Sequence, residues 1–104
     1  MYNGGMATKL DFAFRRLETI VDKYCKDEKL DDAIEAVTWA WEYAHDDPQE
    51  ADIEEAIARV KKAEKYMSEE GKPLYAEVRA EVVKRLRLLL HDRKKKAAKQ
   101  TLEA

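Results

Sequence analysis

Apolar residues recur along this chain at the three-and-four spacing of amphipathic helices, in four separate stretches. The first stretch predicts a helix from about Lys9 to Lys26. Its stripe is Leu10, Phe14, Leu17, Val21 and Tyr24, flanked by Ala13, Ile20 and Cys25. Phe12 falls off that stripe, which puts it at a cap of the bundle or in solvent. A short polar connection, Asp27 to Leu30, leads into a second helix from about Asp31 to His45, with Asp31 or a near neighbour as its cap. The apolar arc of this helix covers more than half its circumference. Ala33, Ala36, Ala40 and Ala44 run down the middle, Trp39 and Tyr43 lie on one shoulder, and Ile34 and Trp41 lie on the other. A helix apolar over that much of its surface requires cover from two sides.

The tetrapeptide Asp47-Pro48-Gln49-Glu50 reads as a capping aspartate, a proline at the first helical position and a glutamate at the third. It predicts a third helix from Pro48 to about Glu70, with Ile53, Ala56, Ile57, Val60, Ala63 and Met67 inward. Gly71 reads as the stop of that helix. Pro73 then restarts the chain as a fourth helix, with Tyr75, Val78, Val82, Leu86 and Leu89 as its stripe and Val83 and Leu90 widening it. After His91 the apolar pattern thins. Residues 8–92 therefore read as one helical domain, 93–104 as a basic helical extension or tail, and 1–7 as a flexible leader. Short connections make neighbouring helices antiparallel. The expected fold class is all-α, an up-down four-helix bundle, with two stacked helical hairpins as the alternative.

Composition narrows this picture. The 104 residues are 45% hydrophobic and 40% charged, with three glycines and two prolines, which suits long solvated helices and not a many-turned β-fold. The net charge of −2 conceals a segregation. From Asp27 to Ala58 there are twelve acidic residues against Lys29 alone, whereas from Lys84 to Lys99 eight basic residues face Asp92 alone. In an up-down bundle the end of the fourth helix lies beside the turn at Asp46 and Asp47, so the two blocks can neutralise each other. Cys25 is the only cysteine, so no intrachain disulfide forms and a reducing, cytoplasmic setting is expected. No apolar run approaches the ~20 residues of a membrane span, and the start carries no signal-peptide pattern.

Catalytic machinery is sparse in the sequence. Ser68 is the only serine, and His45 with His91 would leave a zinc ion short of ligands, so neither an enzyme nor a metal or cofactor is expected. Cys25 ends its helix, where the dipole opposes a thiolate, and reads as a small buried hydrophobe. Arg85 and His91 have a spacing that resembles the arginine and histidine of the HEPN ribonucleases, but Leu86 stands where that family has a polar residue. Three binding readings remain. Trp39 and Tyr43, one turn apart with Ala36 beneath them, would anchor a protein partner or a second copy. Arg93, Lys94, Lys95, Lys96 and Lys99 would contact nucleic-acid phosphates, without an interleaved aromatic residue to stack on bases. Arg79, inside the apolar arc of the fourth helix, would join Trp39 and Trp41 around a small ligand.

Leu17, Ile20, Val21 and Tyr24, followed by Ala33, Val37 and Ala40, resemble the helical hairpin of a tetratricopeptide repeat over residues 17–40. Glu28 stands where that family has glycine, and His45 where it has proline. The resemblance implies a stacked-hairpin scaffold that binds peptides. The filling of the surface with Glu, Lys and Arg and the short connections also resemble a de novo designed helical protein in style. The function expected is that of a non-enzymatic scaffold or interaction module acting through the aromatic face of the second helix. The alternatives are nucleic-acid binding through the basic C-terminal helix and a small-molecule pocket.

Overall fold

The computed structural model describes residues 8–46 and 48–103, with side chains through residue 95. Four helices follow one another: α1 (Lys9–Tyr24), α2 (Leu30–His45), α3 (Glu50–Ala63) and α4 (Gly71–Glu103). Single 3-10 turns precede α2 (Asp27–Lys29) and follow α3 (Glu64–Tyr66). Each helix packs on two others, α1 on α2 and α4, α3 on α2 and α4. The contacts close a ring with α1 diagonal to α3 and α2 diagonal to α4, which is an up-down four-helix bundle and not an open stack of hairpins.

The stripes read from the sequence meet at the centre of this ring. Phe14, Leu17, Val21, Val37, Ile53, Val60, Met67, Tyr75, Val82 and Leu86 are buried. Full burial of a side chain of this kind contributes about 1.5–3 kcal/mol, so the core dominates stability. Ala33, Ala36, Ala40 and Ala44 of α2 are buried as well, and their small size lets the neighbouring helices approach its backbone. No helix among the described residues is long and apolar enough to cross a membrane.

The two hairpin turns at one end are tied together. Ser68 N–H donates to the Tyr24 carbonyl at 2.8 Å and Lys26 N–H to the Tyr66 carbonyl at 3.1 Å, forming a short bridge between Cys25 and Met67. This tie explains where the helices stop. Cys25 is drawn into an extended conformation, so α1 ends at Tyr24 and not at Lys26. α3 ends at Ala63, well before the expected Glu70, because Glu64 N–H turns to the Lys61 carbonyl and tightens the chain. The Val60 carbonyl accepts instead from the buried Tyr75 hydroxyl at 2.8 Å.

Other boundaries also differ from expectation. Gly71 is no helix stop: it opens α4 with its α-carbon against the Tyr24 side chain, leaving no room for a β-carbon. Asp31 lies inside the first turn of α2. The expected cap Asp47 lies outside the described residues. Pro48 precedes α3, whose start is capped instead by Asp52 Oδ2 accepting from Gln49 N–H at 3.0 Å. The extension after residue 92 is continuous helix to Glu103.

Candidate functional site

Tertiary packing leaves the Trp39 shoulder of α2 at the surface. Trp39 is 42% exposed, while Ala40 beside it is fully buried. Two neighbours hold its indole. Tyr43, one turn on, meets it edge-to-face with ring centroids 5.8 Å apart and planes at 89°. From α3 the Arg59 guanidinium carbon lies 5.1 Å from the indole centroid, within cation–π range. Arg59 is itself steadied by Glu55 at 3.2 Å, one turn back on α3. Its Nε is shielded from solvent and makes no hydrogen bond, so the guanidinium is held mainly by the ring and that carboxylate.

Beside this trio a groove of about 460 Å³ runs between α2 and α3. Asp32, Glu35 and Glu55 supply its acidic lining, Ala58, Arg59 and Lys62 the remainder of the α3 wall, and Tyr66 of the turn after α3 closes one end. Ala36 is buried yet lines the groove, where its small side chain leaves the depression open. Trp39, Tyr43 and Ala36 are thus brought together along one seam. Tyr43 is half-buried and also packs on the core.

The other candidates are dispersed. Arg79 stands on α4 and reaches Glu64 at 3.4 Å, whereas Trp41 stands on the diagonal helix α2 and turns toward α1. The two do not line one cavity with Trp39. Arg93 donates to the Gln49 side chain at 3.3 Å, so the basic stretch does pass the start of α3. Lys94 and Lys95 are exposed, and the side chains of Lys96 and Lys99 lie outside the described residues.

A polar cluster at the other end of the bundle escaped sequence reading. Asp11 is only 5% exposed and gathers four donors. Thr8 N–H and Thr8 Oγ1 donate to Oδ2 at 2.8 and 3.0 Å, the Trp41 indole N–H donates to Oδ1 at 2.9 Å, and His45 Nε2 pairs with the same oxygen. His45 stacks on Trp41 with centroids 4.7 Å apart and sets its Nδ1 2.8 Å from the Trp41 carbonyl. Burial pushes the Asp11 carboxyl up, but the hydrogen bonds from Thr8 and Trp41 and the nearby His45 outweigh it and hold the group down at about 2. The one local signal was Thr8-x-x-Asp11, a capping box at the start of α1. The cluster clasps the start of α1 to the end of α2.

Cys25 is partly buried, its Sγ 3.5 Å from the Tyr66 carbonyl, and burial pushes its thiol up. Among the described residues no group of three or more His, Cys, Asp or Glu side chains is placed to hold a metal ion. Comparison of the chain with protein-family models, with curated proteins and with solved structures gives no significant match to any of them. The functional reading therefore rests on the geometry of the α2 seam.

Proposed function

We propose that this chain is a non-enzymatic interaction module that docks a protein partner along the α2–α3 seam. The observation that carries this reading is a tryptophan left 42% exposed on a well-packed helix and yet held in one orientation by Tyr43 and Arg59. An aromatic anchor that is already ordered loses little entropy on binding, and tryptophan and arginine are the residues that most often dominate docking energetics. The charge around it bears on the partner. Asp31, Asp32, Glu35 and Glu42 are exposed on α2, so a second copy laid on this face would bring acid against acid. A segment with an apolar ridge flanked by Lys or Arg fits better.

The test is titration with amphipathic helical peptides whose flanks are lysine-rich or glutamate-rich, followed by tryptophan fluorescence. Lysine-flanked peptides are expected to bind, more weakly as salt rises, and Trp39→Ala with Tyr43→Ala should weaken binding at least about tenfold while the chain keeps its helical circular dichroism. Binding unchanged in that variant, or equal for both peptide classes, overturns the reading.

A further inference from the structure

A second surface, on the far side of the molecule, is independent of the α2 seam. The large apolar side chains exposed among the described residues are Phe12, Trp39, Trp41, Leu74 and Leu88. Both tryptophans have polar partners within the chain, Arg59 and Asp11 respectively. The other three belong to α1 and α4, which pack side by side. Phe12 at 54% exposure and Leu74 at 41% line the same groove, a trough of about 470 Å³ that also includes Ile20 and Val78. An apolar trough of this kind on an otherwise highly charged surface marks a place where something docks.

The walls of the trough show what fits it. Arg15 and Arg16 stand on the α1 side and Glu77 on the α4 side. Among the described residues these three charges enter no ion pair, although Arg59, Lys72, Arg79 and Arg85 each have a carboxylate within 4 Å. A two-fold axis parallel to the helices lays the α1 of one copy over the α4 of the other at the same height. Arg15 and Arg16 of each copy then meet Glu77 of the other, twice by symmetry, and Phe12 and Leu74 of each copy are covered. A two-fold axis across the helices would stack α1 on α1 and set arginine against arginine. A closed pair needs a patch complementary to itself, and the α1–α4 face has that property in both its charge and its apolar trough.

We propose that the chain forms a two-fold homodimer through the α1–α4 face, with α1 of each copy on α4 of the other. The proposal needs nothing from the α2 seam. Sedimentation equilibrium of the full chain, from roughly 1 to 200 µM, reads it directly. Arg15→Glu with Arg16→Glu in one variant, and Glu77→Arg in another, should each weaken self-association about tenfold or more. An equimolar mixture of the two variants should restore a heterodimer, because every reversed charge then meets its opposite. Phe12→Asp should also give a monomer. The charge reversals are at the surface and carry the test on their own if Phe12→Asp loses helicity. A wild-type chain that stays monomeric across the range overturns the proposal, as do charge variants that associate as tightly as wild type. A dimer abolished only by Trp39→Ala with Tyr43→Ala would place self-association on the other face and overturn it too.

Discussion

Asp11 shows how one side chain serves two helix ends at one end of a bundle. Its carboxylate caps α1 through Thr8 and receives the Trp41 indole and His45 from the last turns of α2. The folded-state value of about 2 lies below the ordinary 3.8, so ionisation favours the fold. That contribution is complete above 3.8 and is lost as pH falls toward 2, and it amounts to about 2 kcal/mol. Urea unfolding of wild type and Asp11→Asn between about pH 5 and pH 2 should show the stability gap between them closing with acid. A gap that stays constant would mean the charge is immaterial. Tyr75 makes a second prediction. Its hydroxyl donates to the Val60 carbonyl near the tightened end of α3, so Tyr75→Phe should cost about 1–2 kcal/mol in the same unfolding measurement. Neither residue stands out in the sequence. Tyr75 reads as one more member of an apolar stripe, and Asp11 sits between Leu10 and Phe12 with only its local capping spacing to mark it, because its partners are some 30 residues away.

At the scale of elements, the helices were legible where periodicity alone decides and illegible where two distant turns meet. Most of the inward stripes of α1, α3 and α4 is buried in the core, while Tyr24, Ile57, Leu89 and Leu90 are only partly covered. Gly71 is the instructive failure. Its position after a run of polar residues imitates a helix stop, but its lack of a side chain is used for the close approach of Tyr24, which belongs to the other hairpin. Gly71→Ala should therefore destabilise the bundle by about 1–3 kcal/mol, although alanine is the better helix former, and a rise in melting temperature would refute the packing argument. α4 makes the opposite case. Ending the chain after residue 92 removes a helix segment that includes the Arg93 contact to Gln49. Circular dichroism should lose helical signal while the melting temperature moves by no more than about 2 °C.

At the scale of the whole molecule, closure of the ring decides which faces remain open. Four stripes that each needed a partner found two, and the α2 arc, too broad for one neighbour, is covered by α1 and α3 except at Trp39 on one shoulder and Trp41 on the other. The breadth of that arc was visible in the sequence, as was Phe12 lying off its stripe. The up-down order expected from the sequence already sets α1 beside α4; what could not be read was the register that brings particular side chains of the two together. It is this register that turns Phe12 and Leu74 into one trough. The up-down order also carries α4 past the start of α3, where Arg93 reaches the uncharged Gln49.

That overhang makes α4 a pointer. The helix runs 33 residues, about 50 Å at 1.5 Å per residue and close to the 52 Å long dimension of the molecule, whereas α1, α2 and α3 have 14–16. Each residue along it adds a fixed advance and about 100° of rotation, so its far end has a definite bearing relative to the bundle as well as a definite reach. Inserting one alanine after Asp92 would swing the later part of the helix by that angle without altering the charge. In the two-fold pair both pointers leave by the same end, side by side and parallel, like the tines of a fork.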